Sequence, residues 1–229
     1  MYLLGFDIGS SSIKAALVDA ATGQTVGMAQ YPDREMDILA PRPDWAEQHP
    51  AVWWDAVCKS AQKLMHDTGV DPTQVAAIGI SYQMHGLVTV DAHGEVLRPS
   101  IIWCDSRAVA IGDRAFQALG ESYCLERYLN TPGNFTASKL RCVRENEPAI
   151  FEKIDKIMLP GDYIAYRMTG EICSTVTGLS EGILWDFTTQ TPARKLLDYY
   201  EIPESMLPAV RGVFEQQGRL HAAAAAAMG

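Results

Sequence analysis

The chain has 229 residues, of which 48% are hydrophobic and 21% are charged. This balance is ordinary for a globular protein and supports a sizeable core, in one large domain or two small ones. The formal net charge of -9 argues against nucleic acid or an anionic membrane surface as the main partner. No apolar run approaches the roughly 18 residues that span a bilayer, so we expect no membrane partner.

The cysteines predict reduced thiols rather than a disulfide framework. There are five of them, an odd number, and no C-x-x-C pair occurs, so a structural zinc site is not expected either. The N-terminus has no basic region ahead of an apolar stretch and is therefore not a signal peptide. These features together favour a cytoplasmic protein.

The first 31 residues predict three antiparallel strands, at 2–8, 13–18 and 25–31, because apolar runs alternate with short turns. Gly9 and three serines form the first turn, which directs N–H groups and hydroxyls to one place and suits a phosphate. Asp7 precedes this turn and suits a hard cation such as magnesium. Taken alone, the stretch also fits an ordinary hairpin with a serine-rich turn.

A loop, a helix and a further strand follow. Residues 32–50 are predicted to form a loop in which Trp45 and Glu47 are packed anchors. Apolar residues at three- and four-residue spacing predict an amphipathic helix over 51–67, ended by Gly69. The nearly continuous apolar run over 75–81 predicts a buried strand.

The rest of the chain alternates between short strands and helices. The predicted strands lie at 87–91, 101–103 and 156–159, and the predicted helices at 108–119, 138–145, 148–154, 162–168 and 192–200. Residues 171–189 are rich in Ser, Thr and Gly and are predicted to be irregular or strand-like. Six alanines after His221 predict a helix, and the glycine that closes it predicts that the polypeptide continues past residue 229.

Two polar clusters follow apolar strands directly, at the strand ends where open α/β sheets place ligands. In the first, Gln83-Met84-His85-Gly86, the histidine can exchange hydrogen bonds with hydroxyls; the alternative is a turn with a satisfied histidine. In the second, Trp103, Asp105 and Arg107 offer an aromatic face and charged ends to a sugar. Its alternative is a helix start with Asp105 or Ser106 as N-cap.

Five stretches, in this order, resemble the N-terminal half of the FGGY carbohydrate kinases. They are F-D-I-G-S-S-S-I-K, S-Y-Q-M-H-G, I-I-W-C-D-S-R, F-T-A-S-K-L-R-C-V-R-E-N-E-P and L-P-G-D-Y-I-A-Y-R-M-T-G-E. The Q-M-H-G stretch, with Met84 and His85, is most similar to that of family members acting on D-xylulose. Cys142 and Asn134 depart from the family pattern, which commonly has an aromatic at the first position and an aromatic or small residue at the second.

The resemblance implies an α/β fold of the ribonuclease H-like (actin-like ATPase) type over residues 1–229, with a mixed sheet flanked by helices. It also implies ATP and Mg²⁺, with phosphoryl transfer to D-xylulose. Asp7 would be the catalytic, metal-binding carboxylate of this half. The phosphate side would be lined by Gly9, Ser10, Ser11, Ser12 and Lys14. The sugar would be bound by Gln83, Met84, His85, Trp103 and Asp105.

The resemblance further implies a C-terminal ATP-binding domain of the same protein, outside this chain. In the family, the general-base aspartate lies in a G-G-x-D-type motif that does not occur before Gly229, so the chain alone is expected to be inactive. Two alternatives stay open: a kinase for ribulose, gluconate, glycerol or another polyol, and a non-catalytic sugar-binding module. The sequence leaves the oligomeric state open, a homodimer included.

Overall fold

The computed structural model describes all residues from Met1 to Gly229, and its N-terminal part is built on one sheet. Strands β1 (Tyr2–Ile8), β2 (Ile13–Asp19) and β3 (Thr25–Tyr31) pair antiparallel, as predicted. After a two-residue strand, β4 (Glu47–Gln48), and helix α1 (Pro50–Thr68), strand β5 (Val75–Tyr82) pairs parallel with β1. The sheet order is therefore β3-β2-β1-β5, a mixed sheet.

Helix α1 covers one face of this sheet. Pro50 occupies its first turn, the His49 side chain accepts a hydrogen bond from the backbone N–H of Ala51, and Gly69 ends it with a φ of 64°. The apolar face that packs on β2 and β3 includes the fully buried Trp53, Val57 and Leu64. Burial of each such side chain contributes about 1.5–3 kcal/mol.

The remaining elements are short. The strands are β6 (Val88–Val90), β7 (Ser100–Ile101), β8 (Lys156–Met158), β9 (Cys173–Thr175), β10 (Trp185–Asp186), β11 (Thr191–Pro192) and β12 (Ala209–Arg211). The helices are α2 (Val109–Leu119), α3 (Glu121–Arg127), α4 (Thr136–Asn146), α5 (Pro148–Phe151), α6 (Pro160–Thr169), α7 (Val176–Glu181), α8 (Arg194–Tyr200) and α9 (Ala222–Met228). The short strands pair two by two, as β4-β7, β6-β8, β10-β11 and β9-β12. No helix is both long and apolar enough to cross a membrane.

Three segments differ from the prediction in more than their ends. Helix α3 was not predicted. Helix α7 lies in the segment predicted to be irregular or strand-like, where the Thr175 side chain caps it by accepting from the backbone N–H of Gly178. Strand β5 was predicted to be buried, yet none of its residues is, and Ala76, Ala77 and Gly79 are exposed. It is one of the two edge strands of the sheet, and it borders a groove of about 1030 Å³ that α6 and residues 213–220 also line.

Two hydrophobic cores meet along the loops that carry the predicted site. One core lies between the sheet, α1 and α6, and the other lies among α2, α4 and α8. Leu87 and Ile101 belong to the core among the helices. Their neighbours Val88 and Ile102 belong to the core under the sheet. The loops after β5 and β7 are therefore anchored on both sides by buried side chains.

Candidate functional site

The turn between β1 and β2 is held by hydrogen bonds. The Gly9 N–H donates to the Ser12 carbonyl at 3.2 Å, and a Cβ at Gly9 would lie 2.8 Å from that oxygen, so the turn requires glycine here. The Gln48 side chain donates to the Ser10 carbonyl at 2.6 Å. Of the three serines, Ser11 is exposed, Ser10 is half-buried and Ser12 is buried. The exposed Ser11 hydroxyl is thus the one most open to a ligand.

Asp7 and Lys14 face each other across β1 and β2 beside this turn. Asp7 Oδ2 and Lys14 Nζ are 3.5 Å apart, and about half of each side chain is exposed. An exposed pair of this kind contributes little to stability, so both charges are available to a ligand. Asp7 belongs to no cluster of three or more His, Cys, Asp or Glu side chains. One carboxylate still suits magnesium, which takes most of its ligands from water and phosphate.

The chain after β5 turns back toward the Asp7 corner. The Gln83 N–H donates to the Ile8 carbonyl at 2.8 Å, which extends the β1–β5 pairing by one residue. The Gln83 side-chain oxygen and nitrogen are both buried and have no hydrogen-bond partner in the protein. Since buried polar groups are nearly always paired, these two atoms require a partner that the protein does not supply, such as an ordered water or a bound ligand. Met84 follows and is 53% exposed.

His85 is held in one orientation. Its Nδ1 lies 2.7 Å from Glu181 Oε1 on α7, and its ring packs edge-on against Phe135, with centroids 4.8 Å apart. Burial lowers the pKa of His85, against the opposing effect of the Glu181 hydrogen bond, so the ring is neutral at pH 7. The neutral ring then donates from Nδ1 to the carboxylate, which leaves Nε2 as an acceptor for a hydroxyl.

Trp103 connects the second polar cluster to the turn between β1 and β2. The Trp103 Nε1–H donates to Ser10 Oγ at 3.1 Å, across 93 residues of sequence, and the side chain is 47% exposed. Its indole therefore presents an open face beside the turn. The structure thus brings the turn and both loops to one place.

Asp105 contributes differently from what the sequence predicts. It is fully buried. Its Oδ2 accepts from the Ala46 N–H at 2.6 Å and from the Arg107 guanidinium at 2.6 Å, and its Oδ1 accepts from the Arg107 backbone N–H at 2.9 Å. Because both oxygens are engaged inside the protein, Asp105 fixes the loop and offers no exposed oxygen to a sugar. The alternative was also wrong, since α2 begins at Val109 with Ala108 as its N-cap.

The Asp105–Arg107 pair is part of a larger buried network. Arg107 Nη1 lies 2.7 Å from Glu47 Oε1, and its guanidinium stacks over the Trp45 ring at 3.6 Å. Glu47 also binds Arg98, which in turn binds Glu147. The prediction that Trp45 and Glu47 anchor their loop is confirmed by these contacts.

Two residues make contacts at the site that the sequence did not predict. Glu181 lies in a segment predicted to be irregular, and only the fold brings it to His85. Lys139 lies inside a predicted helix, and its Nζ donates to the backbone carbonyls of His85 and Ile102. Sequence separations of 96, 54 and 37 residues put these contacts beyond any motif.

A family model described as the FGGY family of carbohydrate kinases, N-terminal domain, matches residues 2–229. The chain belongs to this family and is its N-terminal domain. The expected ribonuclease H-like (actin-like ATPase) fold is confirmed by this match and by the likeness to solved kinases of the family.

Individual relatives are sugar and polyol kinases. The xylulose kinase of Escherichia coli (strain K12) is 34% identical over 221 residues, which cover 96% of this chain and 44% of that protein. The glycerol kinase of Thermococcus gammatolerans is 29% identical over 221 residues, covering 95% and 44%. The crystal structure of a xylulose kinase from Rhodospirillum rubrum is 29% identical, with a TM-score of 0.90, and the match covers 100% of this chain and 46% of that one. The chain thus spans less than half the length of these relatives.

Proposed function

We propose that this chain is the sugar-binding half of an ATP-dependent kinase that transfers the γ-phosphoryl group of ATP to D-xylulose, giving D-xylulose 5-phosphate. The observation that supports this best is the hydrogen bond from Trp103 to Ser10. It joins the loop after β7, which would bind the sugar, to the turn between β1 and β2, which would bind the phosphate. Phosphoryl transfer depends on holding the acceptor hydroxyl close to the phosphoryl group and in line with it.

The acceptor sugar would lie among Gln83, His85 and Trp103. The unpaired Gln83 amide can both donate to and accept from hydroxyls, and His85 Nε2 accepts from one more. The exposed indole of Trp103 packs on the C–H face of a sugar, and Met84 adds an adaptable apolar contact. Asp105 and Arg107 would support this site from beneath.

On the phosphate side, Asp7 would hold magnesium, which when bound neutralises charge on the phosphate oxygens. The Lys14 ammonium and the Ser11 hydroxyl are exposed at the same corner and would contact the phosphoryl group directly. Gly9, Ser10 and Ser12 would shape the turn that presents them. Because hydrogen bonds already hold the turn, it would need little reorganisation when the phosphate binds.

We propose further that a C-terminal domain of the same protein supplies most of the ATP pocket and the general-base aspartate. The relatives above are more than twice as long as the matched segment. The half-exposed Asp7–Lys14 corner also suits a cleft wall that a second domain covers. The chain alone would then bind sugar without turning it over.

ADP release by the intact protein, with magnesium and ATP and a panel of D-xylulose, D-ribulose, gluconate and glycerol, tests the substrate. We expect the highest kcat/KM with D-xylulose. The similarity to a glycerol kinase supports a polyol as the second candidate substrate. A higher kcat/KM with glycerol than with D-xylulose would make glycerol the substrate. No ADP with any of the four would contradict the kinase assignment.

The metal role of Asp7 has its own test in the intact protein. Asp7→Asn should lower kcat at least about 100-fold, because metal charge stabilisation of the transition state is worth several kcal/mol. The matched control is Asp55→Asn, since Asp55 is an exposed carboxylate on α1 that pairs only with Lys59. Equal turnover by the two variants would show that Asp7 does not hold the metal.

A further inference from the structure

Lys139 lies in α4, and no part of the residue is exposed to solvent. Its ammonium donates to the His85 carbonyl at 2.9 Å and to the Ile102 carbonyl at 3.0 Å. These carbonyls belong to the two loops that follow β5 and β7, and Ile102 directly precedes Trp103. One buried side chain therefore bonds the backbone of both sugar-facing loops.

The ammonium of Lys139 has no carboxylate partner. None of the ion pairs in the chain includes Lys139, and the buried Asp105 beside it is bound by Arg107. Burial lowers the pKa of Lys139 to about 8. Burying a cation without a counter-ion is costly, and a methionine of similar shape would fill the space without that cost. Packing alone therefore does not account for a lysine at this position.

The start of α4 holds the His85 loop at neighbouring points. His85 has a φ of 36°, a backbone conformation that residues other than glycine seldom adopt. The Lys139 ammonium binds the carbonyl of His85, Thr136 Oγ1 donates to the carbonyl of Gly86 at 3.4 Å, and Phe135 packs on the His85 ring. These contacts hold a backbone conformation that the loop would not favour alone.

We propose that Lys139 is a positioning residue that sets the distance between His85 and Trp103, and so the shape of the sugar site. This inference rests on the proposed kinase function, since it assigns Lys139 to the sugar and not to ATP. The ammonium supplies three donors from a compact centre, so it can bond two carbonyls from different loops at once. Lys139 touches no substrate and acts only through the two loops.

The test is Lys139→Met in the intact protein, a change that keeps an unbranched side chain, one heavy atom shorter, and removes its donors. We expect the KM for D-xylulose to rise at least 10-fold, while the KM for ATP stays within about twofold. Backbone amides of residues 84–87 and 103–105 should exchange hydrogen faster, as measured by mass spectrometry. The matched control is Leu64→Ala, which destabilises the buried face of α1 away from both loops and should leave the KM for D-xylulose unchanged.

The outcomes separate the two claims. If the wild-type protein phosphorylates D-xylulose and Lys139→Met keeps its KM and its hydrogen exchange, the positioning role is wrong and the kinase function stands. If Lys139→Met and Leu64→Ala raise the KM equally, Lys139 contributes only general stability. If the wild-type protein phosphorylates no sugar, both proposals fail. Should Lys139→Met not fold, Lys139→Gln keeps a two-proton donor of shorter reach and should give an intermediate rise in KM.

Discussion

The proposed sugar side and the proposed phosphate side of the site are built in opposite ways. On the sugar side, the side chains of Asp105, Arg107 and Lys139 are buried. Their charged groups bind other groups of the protein and so hold the loops in place. On the phosphate side, Asp7 and Lys14 are about half exposed and 3.5 Å apart, and little else binds either charge. The charged groups of the sugar side therefore bind within the protein, whereas those of the phosphate side remain accessible to a ligand.

The difference follows from what each ligand requires. A neutral sugar is recognised by hydrogen bonds of defined direction, so its site gains from loops that cannot move. A phosphate with its cation brings its own charge, and it needs counter-charges that are not already neutralised. The buried pair of Asp105 and Arg107 should therefore matter for folding, whereas Asp7 and Lys14 should matter only for ligand binding.

The largest expected effect is on stability, and it distinguishes the two sides. Asp105→Ala removes one member of a buried ion pair and leaves the Arg107 guanidinium without that partner. The free energy of unfolding should therefore fall by about 3–5 kcal/mol. Asp7→Ala breaks an exposed pair, so it should lower the free energy of unfolding by less than about 1 kcal/mol. Urea denaturation of the 229-residue chain, followed by tryptophan fluorescence, measures both. Equal losses in the two variants would contradict the comparison.

The second effect is a pH dependence that belongs to Lys139. Its pKa is lowered from 10.5 to about 8 in the folded chain, by burial first, against the attraction of Asp105. Between pH 8 and 10.5 the unfolded chain therefore binds more protons, so the free energy of unfolding rises with pH in this window. The expected gain is roughly 3 kcal/mol, and Lys139→Met should lack it.

The measurement is the difference in free energy of unfolding between wild type and Lys139→Met, at steps from pH 7 to 10. Tyrosines such as Tyr82 and Tyr128, whose pKa values burial raises, are common to both proteins, so their contribution cancels. A difference that does not change with pH would show that Lys139 titrates as an exposed lysine does.

Much of the sheet and helix pattern could be predicted from the sequence because local rules govern it. Strands β1 and β3 begin and end where their apolar runs predict, and α1 lies within a residue of prediction at each end because Pro50 and Gly69 mark its ends. Strand β5 shows the limit of such rules. Its apolar run identifies a strand, but whether another element covers that strand is decided by distant parts of the fold.

The site was predictable where its residues act through motifs and not where they act through contacts. The residues around Asp7, His85 and Trp103 were identified from stretches of sequence, and the fold brings them together. Whether they bind ligands stays a prediction. The buried engagement of Asp105 and the contacts of Lys139 and Glu181 were not predictable, since each spans at least 37 residues or depends on a neighbouring loop.

The smallest expected effect concerns Glu181, which holds the His85 ring through Nδ1. Glu181→Gln removes the charge and keeps an oxygen that accepts from Nδ1–H, so the ring keeps its orientation. The carboxylate raises the pKa of His85, and without it that pKa should fall further. NMR titration of the His85 ring protons measures this shift directly.

Sugar binding should weaken only about 3- to 10-fold in Glu181→Gln, because a neutral hydrogen bond replaces a charged one. Isothermal titration of D-xylulose measures the change, and Glu126→Gln on the exposed face of α3 is the matched control. A loss as large as that in Lys139→Met would mean that the ring orientation, and not the loop backbone, dominates the sugar site. No loss at all would mean that the backbone contact of Lys139 places the imidazole without help from the carboxylate.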